Sequence, residues 1–120
     1  MNIELILPWP PTINNYYVQT RRGRFISKKG RAFRELVSEC VREQLGLPDT
    51  VEDRMYVEVK LFVPDRRVRD LDNYMKPLLD ALTEAGVWED DRLIDQLFIC
   101  RGALVPGGKV VLTIDDAGPC

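Results

Sequence analysis

The 120-residue chain contains no histidine. That absence removes Ser-His-Asp and Cys-His nucleophilic schemes and the usual zinc sites, and it leaves acid–base work to carboxylates, lysine, tyrosine or metal-bound water. Cysteine is scarce as well. Cys40, Cys100 and Cys120 form no CxxC pair, and their odd number argues against a disulfide framework. Cys40 falls on the apolar face of a predicted helix and Cys100 in a predicted strand, so both read as packing. No apolar run approaches the length that spans a bilayer. The opening MNIELILPWPP has neither a basic leader nor a long apolar region, so a cytoplasmic protein without a signal peptide is expected. There is no Gly-rich phosphate loop, no internal repeat and no low-complexity segment.

What is present is ordinary in bulk and uneven in detail. A composition of 45% hydrophobic and 30% charged residues suits a globular protein. The length predicts one domain, residues 1–120, able to bury a core without disulfides or a structural metal. The net charge of −2 conceals an asymmetry. Arg21, Arg22, Arg24, Lys28, Lys29, Arg31 and Arg34 follow one another with no acid between them, whereas from Asp80 onward eight acids face Arg92, Arg101 and Lys109. That pattern suggests a polyanion met by one face. A solvated helix start explains it equally well.

Along the chain, NIELIL (2–7) predicts a strand stopped by Pro8, and PWPPTINN a stiff loop, with Trp9 a packed anchor. Residues 16–27 read as a basic hairpin turning at Arg21-Arg22-Gly23. Ser27 is placed to cap a helix whose buried face is Phe33, Leu36, Val37, Cys40, Val41 and Leu45, ended by Gly46 and Pro48. Met55 to Val63 alternates with the two-residue period of a strand, closed by Pro64. A second helix buries Tyr74 or Met75, Leu78, Leu79, Leu82 and Ala85. Pro77 confines its start, with Asp72 or Asn73 as the expected cap. Residues 93–104 and 109–114 predict strands around the turn Pro106-Gly107-Gly108. The fold class is α+β: a mixed sheet covered by two helices, with a basic N-terminal hairpin.

The chemistry concentrates in PDRRVRDLDNYMKP (64–77). Three arginines precede Asp70 and Asp72, and Lys76 follows one helical turn after Asp72. In extended backbone, residues 70 and 72 project the same way and could hold a hard, oxygen-preferring cation. A third ligand must come from elsewhere. Asp91 is the best placed, with Glu89 and Asp90 as competitors among which periodicity does not choose. The bland alternative is a helix cap with ion pairs to Arg66 and Arg69, and for Lys76 a salt bridge to Asp72 or Asp80. A lone DxD favours that alternative. A diphosphate-gripping transferase is a further reading, disfavoured by the short chain.

The longer pattern shifts the balance. DRRVRDLDNYMKPLLDAL followed by GVWEDDRLI, with LPWPPTINNYY before and GGKVVLTI after, closely resembles the RusA family of Holliday junction resolvases over almost the whole chain. The resemblance implies a small homodimeric, Mg2+-dependent endodeoxyribonuclease, with Mn2+ as the substitute ion, that resolves four-way DNA junctions by paired nicks in recombination and repair. It needs no membrane and no small-molecule cofactor. By position, Asp70, Asp72 and Asp91 match the family's metal-binding acids and Lys76 its catalytic lysine. Ile13, Asn14, Asn15 and Tyr16, with the run Arg66, Arg67, Val68, Arg69, Asp70, Leu71, Asp72 and Asn73, match its DNA-contacting segments. Pro77 departs from the pattern directly after the lysine. A junction- or duplex-binding protein whose acids are structural is the alternative function.

Overall fold

The computed structural model describes residues 1–47 and 49–120. Its centre is a four-stranded mixed sheet with strand order β1-β6-β4-β5. β4 (Met55–Phe62) pairs antiparallel with β6 (Lys109–Asp116) and parallel with β5 (Ile94–Arg101), while β1 (Asn2–Leu7) closes the far edge against β6. The two C-terminal strands flank the turn at Pro106-Gly107-Gly108 yet do not pair with each other, because β4 lies between them. Alternation in β4 sends Met55, Val57, Val59 and Leu61 into the core. Leu5, Leu7, Leu112 and Ile114 join them from the neighbouring strands.

Helix α2 (Lys28–Leu45) and helix α3 (Met75–Glu84) complete that core from one side with Phe33, Val37, Val41, Leu78, Ala81 and Leu82. Ser27 caps α2 as expected, accepting the Gly30 amide at 2.9 Å. Gly46 ends the helix, while Pro48, the second expected stop, lies outside the described residues. One core assignment is corrected: Leu36 is 49% exposed. The apolar stripe of α2 is wider than the arc that α3 and the sheet cover.

Between β1 and α2 the chain makes a four-residue helix α1 (Ile13–Tyr16), then β2 (Tyr17–Thr20) and β3 (Gly23–Ile26), an antiparallel pair joined through Arg21 and Arg22. The loop expected over 8–15 is therefore partly helical. No helix of the described residues is long and apolar enough to cross a membrane.

Candidate active site

The run after β4 is shaped by its own ion pair. Asp65 accepts the Arg67 amide at 2.9 Å and meets the Arg69 guanidinium at 2.7 Å. Arg69 also donates to the carbonyls of Asp65 and Arg67. The Arg67 amide first, then Arg69, hold the Asp65 carboxyl below the usual carboxylate range. From β5, Arg101 donates to the Arg69 carbonyl at 3.1 Å, which pins the loop beside the end of the sheet. Arg69 is thus committed to building the loop. Arg66 and Arg67 are its outward cations.

Asp70 has extended backbone (φ −89°, ψ 119°), but Leu71–Tyr74 form a 3-10 turn that leads into α3. The alternation argument for residues 70 and 72 therefore fails, because only the first of them is extended. The expected cap fails too: α3 starts after Tyr74, and no side chain of Asp70 or Tyr74 caps either element. Among the described residues, Asp70, Asp72 and Lys76 are exposed and make no side-chain hydrogen bond or ion pair. The bland assignments for these residues are thereby removed. Arg69 is occupied by Asp65, and Asp80 is occupied by Arg34 and Tyr16. Pro77 sits buried in the first turn of α3, where its missing amide costs little.

The second half of the site returns through Trp88, which is fully buried and donates to Thr83 at 2.7 Å. Beyond it, Asp91–Leu93 form a 3-10 turn packed against α3. Asp90 is its cap, accepting the Arg92 amide at 2.9 Å, and Glu89 lies 3.5 Å from the Arg92 guanidinium. The Arg92 amide holds the Asp90 carboxyl below the usual range, and Asp91 and Lys76 add to that effect. Glu89 and Asp90 both have structural work here, which leaves Asp91 the least encumbered of the three acids.

The metal expectation receives a mixed answer. Among the described residues, no group of three or more His, Cys, Asp or Glu side chains is close enough to hold a metal ion. The predicted three-carboxylate cage is therefore not formed. The donor chemistry nevertheless fits: Asp70 and Asp72 are oxygen donors without other partners, and magnesium keeps several waters while using one or two carboxylates.

Tyr16 is also corrected. Expected in a DNA-contacting loop, its side chain is completely buried. Its hydroxyl donates to Asp80, and Arg34 donates to that hydroxyl at 2.7 Å and to Asp80 at 2.6 Å. Burial, and then the Asp80 hydrogen bond, push the phenol well above its usual range. Arg34 leaves the basic face for the same reason. Asn14 and Asn15 stay exposed on α1. The Ser27 hydroxyl donates to the Asn15 carbonyl, and the Ser27 amide to that of Tyr16, fastening α1 to the start of α2. Sequence reasoning missed this Tyr16–Arg34–Asp80 cluster. Its only hint was that Asp80 lies on the same face of α3 as Lys76, one turn on.

The chain is similar to known proteins over nearly its whole length. Residues 8–114 match the family described as Endodeoxyribonuclease RusA. A crossover junction endodeoxyribonuclease of Enterobacteria phage HK97 is 40% identical over 113 residues, covering 94% of this chain and 93% of its own. Namesakes from Escherichia coli O139:H28 and from strain K12 are 37% and 36% identical over 118 residues, each covering 96% of this chain and 95% of theirs.

Proposed function

Because the chain belongs to the RusA family of endodeoxyribonucleases, we propose that it resolves four-way DNA junctions by paired, symmetric nicks, using a divalent metal. The observation that carries this reading is the exposure of Asp70, Asp72 and Lys76 without structural partners, at and just before the start of α3, the helix against which the turn holding Asp91 packs. A fold that pairs Asp65, Asp80, Glu89 and Asp90 has left these groups free.

Asp70 and Asp72 would hold Mg2+, or Mn2+ in its place, and Asp91 would have to move toward them to join as a third ligand. When bound, such an ion supplies an activated water and neutralises charge at a phosphodiester. Lys76 stands to offset negative charge at the scissile phosphate or leaving oxygen. Arg66 and Arg67, with Arg21, Arg22, Lys28 and Lys29 around the hairpin and the start of α2, would track the DNA backbone. Ile13, Asn14 and Asn15 face the same substrate from α1. Contacts of this kind position without reading sequence and weaken steeply as salt rises. Residues 1–120 act as one endonuclease domain. Two opposed nicks in a two-fold substrate call for two sites, hence a homodimer.

The test is incubation with a synthetic four-way junction, a linear duplex and a nucleoside triphosphate, each with and without Mg2+ or Mn2+. Metal-dependent, paired nicking of the junction alone is expected. Cleavage of the duplex alone, or a binding affinity flat in salt, would remove the resolvase assignment.

A further inference from the structure

A cleft of about 420 Å³ opens between the proline-rich loop and the arginine loop, and its rim ends at the residue before Asp70. The volume falls in the range of small-ligand sites, about 300–1,000 Å³. Trp9, Pro10, Pro11, Pro64 and Tyr74 line it together with the charged side chains of Asp65, Arg67 and Arg69. Trp9 is held in place from behind. Its ring lies against Gly108, where an added Cβ would sit 2.9 Å from the ring, and it packs on Tyr74 at a centroid distance of 4.9 Å. Arg69 lies 5.8 Å from the Trp9 ring, with its guanidinium already engaged by Asp65.

Beside the charged side chains, two uncharged polar groups suit the edge of a planar heterocycle. Among the described residues, the side chains of Thr12 and Asn15 line the cleft without a hydrogen-bond partner. At the mouth stands Val68, an apolar side chain 100% exposed between arginines. Arg67 and Arg69 supply cations for a phosphate, but a phosphate alone would leave Trp9 and three prolines of the lining without a role. An exposed valine on a basic loop has no packing role to explain it.

Resting on the nuclease reading above, we propose that this cleft receives one unstacked nucleobase from the branch point. The ring lies against Trp9 and the prolines, and its edge meets Thr12 and Asn15. Arg67 holds the adjoining phosphate, and Val68 fills the gap left in the stack, as apolar wedges do in bent DNA. Extrusion is least costly where stacking is already interrupted, which a four-way branch provides. The nucleotide next to the captured base would then present its phosphate to Asp70 and Asp72.

Junctions carrying 5-iodouracil at single positions around the branch point test this, since that analogue photocrosslinks to aromatic side chains it touches. Wild-type protein is irradiated on each junction and crosslinked peptides are mapped, while binding and cleavage are measured in the same samples. One position beside the nicked phosphate is expected to crosslink to Trp9 or Tyr74. Val68→Ser should lower that yield about threefold or more with the fold intact, because the wedge is lost. A junction bound and nicked with no crosslink in the cleft overturns the base-capture proposal and leaves the nuclease reading standing. A junction neither bound nor nicked overturns both.

Discussion

Asp70 and Asp80 carry the same carboxylate into opposite surroundings. Asp80 meets Arg34 at 2.6 Å and accepts from a buried tyrosine, whereas Asp70 is exposed with no side-chain partner. Asp70→Asn should therefore cut metal-dependent junction cleavage by about 100-fold or more. Its unfolding free energy from urea titration should stay within about 0.5 kcal/mol of wild type. Asp80→Asn should do the reverse first, losing about 1–3 kcal/mol, the low end for a broken ion pair because this one is partly exposed. Equal destabilisation by the two would return Asp70 to a structural role. Tyr16 adds a pH test. Its raised pKa means the neutral phenol is the form the fold favours, so its stabilisation is complete below the ordinary tyrosine value of about 10 and is lost as pH rises through the raised one. In an absorbance titration at alkaline pH, the step missing from Tyr16→Phe should coincide with unfolding. A Tyr16 step near the ordinary value, in folded protein, would contradict its burial.

At the scale of elements, Gly30 ties the α1 turn to α2. A Cβ there would lie 2.5 Å from the Tyr16 carbonyl oxygen and 2.9 Å from Ile26. In an open helix, glycine to alanine stabilises by about 1 kcal/mol. Here the clash is with backbone that also accepts the Ser27 amide, so Gly30→Ala should lower the melting temperature and loosen Asn14 and Asn15. A higher melting temperature would show that the contact yields. Nothing in the sequence around Gly30 signals that approach, since it depends on a turn packing from elsewhere. β4 was legible because its alternation is local and one face is buried, and Ser27 because a cap is a local device. The common projection of Asp70 and Asp72 was misread because alternation assumes extended backbone, which the 3-10 turn replaces at Leu71. The separation of β5 from β6 was equally hidden, since sheet order follows from the crossover after α3 and leaves no periodicity. For the candidate site, the types of side chain and their spacing were readable. The commitments of Arg69 to Asp65, of Arg34 to Asp80 and of Asp90 to its cap were not.

For the molecule as a whole, the helices cover one face of the sheet and leave the other open. That open face carries Ile6, 51% exposed, and Phe98, 49% exposed, around a shallow hollow lined by Glu4, Glu58, Lys60 and Val111. Pairing through the β1 edge is obstructed at Ile6, whose amide and carbonyl are both taken by the Gln44 side chain at 2.8 and 2.7 Å. Face-to-face packing has no such obstacle. In the proposed homodimer it would bring Lys60, Glu4 and Glu58 of the two copies to one interface with Ile6 and Phe98. Ile6→Glu adds a charge to this face without touching the core, so the monomer should keep its melting temperature at low concentration. The dimer dissociation constant, measured by sedimentation, should rise about 10-fold or more. At protein concentrations where the wild type cuts both strands, the variant should release singly nicked junctions, because each monomer brings one set of Asp70, Asp72, Asp91 and Lys76. A variant that sediments and double-nicks like the wild type would move the interface to another surface, with the free edge of β5 the first to try.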